Sequence, residues 1–263
     1  MQLVLLTALG VGGATVIGAV IGFLFKNISH KFSDVVLSFA AGIMLSAAVL
    51  GLVVPSVEHA VASVGNVGIV ITVVGVLLGA VCMKLIDLLV PHLHKLGAGE
   101  ADGADIADIE PHRTRTSLDK VILFVLAIAI HNFPEGIAAG VGFGSGNDAE
   151  ALVIAGGIAL QNIPEGMVII APMLATGMRP RKTFLIAALT GVVEVLGTLL
   201  GYLAVSVASF ILPFALAFAG GTMLYVISDE MIPETHAHGA ESAATFSLIL
   251  GFLLMLVFDH FLG

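Results

Sequence analysis

The chain has 263 residues, of which 58% are hydrophobic and 11% charged, with a mean hydropathy of +1.10 and a formal net charge of −9. A soluble domain carries about 25% charged residues, so this chain lacks the polar side chains to coat a water-facing surface of its size. The lipid bilayer is its expected partner, nucleic acid is not, and the lone Cys82 excludes a disulfide framework or a cysteine-rich metal cluster.

Taken in chain order, apolar runs long enough to cross a hydrocarbon core of about 30 Å lie near 3–25, 33–54, 66–90, 118–142, 151–173, 182–208, 211–230 and 243–262. The first has no basic flank and continues to Phe25, so it reads as a permanent span rather than a cleaved leader. The break between the sixth and seventh is the weakest, resting on Ser209 and Pro213. Gly18-x-x-x-Gly22, Gly75-x-x-x-Gly79, Gly136-x-x-x-Gly140 and Gly197-x-x-x-Gly201 have the spacing that lets membrane helices approach closely. Lys26, Lys31, Lys84, Lys95, Arg113, Arg115, Lys120, Arg179, Arg181 and Lys182 all fall in or beside alternate loops. The positive-inside rule then predicts an all-α bundle of eight transmembrane helices with both termini outside the cytoplasm. The whole chain, 1–263, reads as one transmembrane domain, with a flexible cytoplasmic loop over 91–117.

Two spans share a pattern: His131-Asn132-Phe133-Pro134-Glu135-Gly136 and Gln161-Asn162-Ile163-Pro164-Glu165-Gly166. Positions i, i+3 and i+4 share a helix face, so His131, Asn132 and Glu135 project together, as do Gln161, Asn162 and Glu165. Each proline removes a backbone hydrogen bond and frees the carbonyl of Ile130 or Leu160. Ionisable side chains inside a membrane mark function by default, and a divalent cation would neutralise both glutamates. Glu194, a third carboxylate in an apolar run without a basic neighbour, is expected at the same centre. His, carboxylate and amide donors suit Zn²⁺ or another borderline divalent ion, and the absence of thiolates disfavours copper(I).

These residues resemble the ZIP family of zinc and iron transporters, in its bacterial GufA-like branch. The resemblance covers nearly the whole chain and includes Phe39-Ala40-Ala41-Gly42-Ile43-Met44 and Glu230-Met231-Ile232-Pro233-Glu234-Thr235-His236. It implies a bacterial inner-membrane protein with a metal centre between the fourth and fifth helices. One metal position would use Met44, His131, Glu135, Gln161 and Glu165. An adjoining position would use Asn132, Asn162, Glu135, Glu165 and Glu194. Two-metal relatives can carry an acidic residue where this chain has Asn162, so the second position is expected to be the weaker. The resemblance also implies inward transport by an elevator-like sliding of helices, with zinc as cargo rather than cofactor; Cd²⁺, Fe²⁺ and Mn²⁺ remain alternatives.

Accessory ligands are expected at both mouths: Glu58, with His59, Asp259 and His260 as weaker candidates, outside; Asp87, His92, His94, Glu230 and His236 inside, where Asp229, Glu234 and His238 also cluster. A metal-selective channel fits the same residues, since channels also use acidic rings. An intramembrane metalloenzyme would need His-Glu-x-x-His on a helix, and no such string occurs. Direction follows from the resemblance alone, and a homodimer is compatible with the sequence without being required by it.

Overall fold

The computed structural model describes residues 1–24, 29–89 and 112–262. Among these, every regular element is helical, and the helices fall into eight rods. The first is α1 (Gln2–Leu24); the second joins α2 (His30–Ser46), π-helical turns over Ala47–Val53 and α3 (Val54–Val64). The third and fourth are α4 (Ile69–Leu89) and α5 (His112–Gly142); the fifth joins α6 (Asp148–Val168) to α7 (Ile170–Ala175). Next come α8 (Pro180–Val207), then α9 (Leu212–Val226) running through π-helical turns at Ile227–Met231 into α10 (Ile232–Thr235), and finally α11 (Glu241–Leu262).

Among the described residues, six stretches are long and apolar enough to cross a membrane: Gln2–Leu24, His30–Ile86, Asp148–Ala175, Pro180–Val207, Ser209–Thr235 and Glu241–Leu262. The second of these is 57 residues long, far more than a bilayer requires. It folds back at Gly65, whose φ of +72° is open to glycine and costly for a side chain. Gly68 then lies so close to Ala60 that a Cβ would meet its carbonyl. The fourth rod begins at His112, ahead of the expected start at 118, so residues 112–117 are helical. The rest of the loop expected to be flexible, 91–111, lies outside the described residues, as does Lys26.

The two π-helical stretches have a shared local cause. Pro55 and Pro233 each follow one within two residues of its end. A proline offers no N–H to the carbonyl four residues back, and its ring presses on that carbonyl. Those carbonyls belong to Gly51 and Asp229, both inside the widened turns. Wide turns of this kind recur at functional sites.

Glycines decide how the rods associate. Gly136 and Gly140 of α5 lie against the carbonyls of Glu194 and Thr198 in α8, while Gly197 and Gly201 lie against those of Phe133 and Ile137. Residue numbers rise together along this seam, so α5 and α8 run in the same direction. Gly18 and Gly22 of α1 meet Ile163 and Met167 of α6 in the same sense; Gly75 and Gly79 of α4 meet Phe214 and Phe218 of α9. All four glycine pairs noted in the sequence thus sit at helix seams. Gly12 and Gly191 bring α1 against α8, and Gly42 and Gly251 bring α2 against α11.

The seams give one four-rod group and two pairs, and packing of the seventh rod on the second joins the pairs into another group. Rods one, four, five and six interlock backbone to backbone, and so do rods two and eight and rods three and seven. Between the groups, glycines meet side chains instead: Gly51 faces Ile154, and Gly157 faces Met255. Met44, Leu52, Ile154, Ile158, Leu216 and Met223 belong to one core cluster that spans both groups.

Candidate metal centre

Both repeat segments lie inside continuous helix, with Pro134 within α5 and Pro164 within α6. Continuous helix carries the i, i+3, i+4 face through the proline, and it aims the polar residues of both segments inward. Asn132, Glu135, Gln161 and Asn162 are buried to within 1% exposure. Glu165 and His131 are half-buried.

Glu194 organises the amides. Its carboxylate accepts from Thr15 Oγ1 at 2.6 Å and Asn162 Nδ2 at 2.6 Å, and also from Asn132 Nδ2. A carboxylate without its proton can only accept, so both asparagines turn their nitrogens to Glu194 and their oxygens away from it. Asn162 Nδ2 also reaches the carbonyl of Val11 at 3.3 Å. The Oδ1 atoms of Asn132 and Asn162 have no hydrogen-bond partner. Neither have Glu135 Oε2, Glu165 Oε1, and the amide oxygen and nitrogen of Gln161. A buried polar atom without a partner costs roughly 1–3 kcal/mol, and here such atoms come from five residues of the two repeats. Glu135, Glu165 and Glu194 are near enough to act on one another electrostatically, and His131 acts on Glu165.

His131 turns toward the other helix group. Its Nε2 lies 2.9 Å from Glu230 Oε1 in the π-helical turn of the seventh rod. Met44, fully buried in α2, belongs to the core cluster that holds Ala138, Ala139 and Ile158 beside the repeats. Among the described residues, no three His, Cys, Asp or Glu side chains stand together at metal-ligating spacing. The centre in this conformation is a gathering of amide and carboxylate donors with His131 drawn aside.

The chain belongs to the ZIP zinc transporter family. The family profile matches residues 90–259. The chain is 40% identical over 262 residues to the zinc transporter GufA of Myxococcus xanthus, covering 98% of each protein. It is 34% identical over 252 residues to the zinc transporter ZIPB of Bordetella bronchiseptica, covering 95% of this chain and 78% of that one. It is 33% identical over 323 residues to human zinc transporter ZIP11, covering 95% and 94%. The ZIP family is one of transporters, not enzymes.

The remaining expected ligands of this ZIP chain are spread along it. Glu58 is exposed on α3 and His59 half-buried beside it. Asp87 falls in the last turn of α4; His92 and His94 lie outside the described residues. His236 has both ring nitrogens engaged, Nδ1 with the Ile232 carbonyl at 2.8 Å and Nε2 with Thr245 Oγ1 at 3.0 Å. Glu230 thus touches the repeats through His131, and His236 here holds the end of the seventh rod to the start of the eighth. Sequence reasoning missed Thr15, the third donor to Glu194. A hydroxyl in an apolar helix is too common to stand out, and only the packing of α1 on α8 reveals its partner.

Proposed function

We propose that this protein carries a divalent metal ion, zinc first, across the cytoplasmic membrane into the cell through the centre formed by α5 and α6. The observation that carries this reading is the set of unpartnered buried donors on the two repeats: Asn132, Glu135, Gln161, Asn162 and Glu165. The names of its zinc-transporting relatives support the choice of ion. Cd²⁺, Fe²⁺ and Mn²⁺ would meet the same donors.

All eight rods cross the membrane in this reading, with both termini outside. The same-direction seams of the fourth with the sixth rod and the third with the seventh support it, because strict alternation makes both pairs parallel. The ion binds Glu135, Glu165, Gln161 and His131 with Met44 close by, while Glu194 positions Asn132 and Asn162 at an adjoining, weaker position. Taking the ion requires His131 to leave Glu230, so loading would break a contact between the two helix groups. The group of rods one, four, five and six then slides against the other and releases the ion toward Glu230 and Asp87. Backbone interlocks within groups and side-chain contacts between them support such a division.

The test is zinc uptake into proteoliposomes by wild type and by the Glu135→Ala/Glu165→Ala protein, repeated with the other three ions. Saturable uptake by wild type, abolished in the variant, is the expected result. Undiminished uptake by the variant would overturn the site, and flux that never saturates would mark a channel.

A further inference from the structure

Away from the transport centre, a second set of metal-type donors meets at the start of the second rod. Asp34, in the second turn of α2, is only 3% exposed. One of its oxygens, Oδ1, lies 3.1 Å from His238 Nδ1. The other, Oδ2, is buried without a hydrogen-bond partner, as is Ser38 Oγ one turn further along the helix. His30 opens α2 and stacks its ring on His238, with centroids 5.0 Å apart and planes at 26°. His238 therefore links the buried Asp34 carboxylate to the His30 ring where α2 meets the connection between α10 and α11, although the three are not at metal-ligating spacing in this conformation.

Neither neighbour competes for these donors. His236 is two residues from His238, but Ile232 and Thr245 hold both its nitrogens. Along α2, Met44 lies ten residues beyond Asp34, about 15 Å at 1.5 Å per residue, so this cluster and the transport centre are separate. A buried carboxylate with a bare oxygen costs free energy unless something neutral or positive completes it.

We propose that His30, Asp34 and His238 form a second divalent-cation site of the zinc class, with water in the remaining position. Two histidines and one carboxylate around an open position is a ligand set that zinc takes readily. In the present arrangement the rings stack instead of converging, so binding would require the exposed His30, one helical turn before Asp34 on the same face, to turn its ring off His238. Occupation would tie the connection between the seventh and eighth rods to the second rod, all within one helix group. The site rests on its own donors and needs neither the direction of transport nor the sliding motion.

The experiment uses purified full-length protein in detergent carrying Glu135→Ala and Glu165→Ala, so that the transport centre is disabled. Zn²⁺ binding by calorimetry and Co²⁺ binding by visible absorption report what remains. We expect one retained ion, with Co²⁺ bands of the intensity that low coordination with imidazole gives. Adding Asp34→Asn or His238→Gln should abolish that ion, and His30→Gln should weaken it by about 10-fold or more. No retained ion, or a retained ion that His238→Gln and His30→Gln leave unchanged, would overturn the proposal. His30 opens its rod and His238 lies in an exposed connection, so these two variants decide the matter even if Asp34→Asn fails to fold. Two retained ions in the disabled background, one of them sensitive to His238→Gln, would count against the transport centre while supporting this site.

Discussion

Glu194 holds three donors at once, so replacing it disturbs two amides as well as one charge. Glu194→Gln keeps the volume but turns an N–H₂ toward Thr15, Asn132 or Asn162, each of which is already donating. The expected outcome is zinc affinity lower by roughly 10- to 100-fold, the range for groups that orient ligands, with the protein still monodisperse. Calorimetry on the two proteins checks it, and equal affinities would remove the positioning role. Acidity acts on the same centre from the other direction. A ligating imidazole or carboxylate must give up its proton before it binds metal, so protons compete with the ion. Initial zinc uptake should therefore fall as external pH is lowered from about 7 to about 5, the interval in which histidine commonly changes charge. A flat profile would count against His131 and the two repeat glutamates as ligands.

The elements were readable where their cause is local. Apolar run length, the i, i+3, i+4 face of each repeat and the four glycine pairs are properties of neighbouring residues, and the helices carry all of them. What could not be read depends on the way rods meet. Nothing near Thr15 in the chain announces Glu194; nothing near His131 announces Glu230; and His30 and Asp34 acquire interest only when His238 arrives beside them. The widened turns lie between these cases. Pro55 and Pro233 were visible, but a proline in an apolar run predicts a kink or an end as readily as a π-helical turn. The glycine seams lend themselves to a direct test. At Gly140 a methyl group would meet the Thr198 carbonyl, whereas nothing lies within 4 Å of one at Gly156. Gly140→Ala should cost about 1–3 kcal/mol through overpacking. Gly156→Ala should be neutral or stabilise by up to about 1 kcal/mol through helix propensity. Thermal unfolding in detergent distinguishes them, and the reverse order would mean the seam is loose.

At the scale of the whole molecule, the division into two groups predicts where a covalent bridge is tolerated. A Cβ at Gly51 would stand 3.9 Å from that of Ile154, across the groups, and one at Gly142 would stand 3.7 Å from that of Ala151, within one group. Both separations suit a disulfide. In a Cys82→Ser background, Gly51→Cys/Ile154→Cys should lose most zinc uptake on oxidation and regain it on reduction. Gly142→Cys/Ala151→Cys should transport in either state. Equal transport by both oxidised proteins would exclude relative motion of the groups as the working step. The grouping also has an electrical side. Glu135, Glu165 and Glu194 all ride on rods four, five and six. Counted as ionised, they give the emptied group three negative charges and the zinc-loaded group one. Each charge moved through 100 mV is worth about 2.3 kcal/mol. In a cell with a negative interior, voltage would therefore favour the outward return of the emptied group and oppose, more weakly, the inward stroke of the loaded one, so polarising the membrane should raise turnover at saturating zinc when the return limits the cycle.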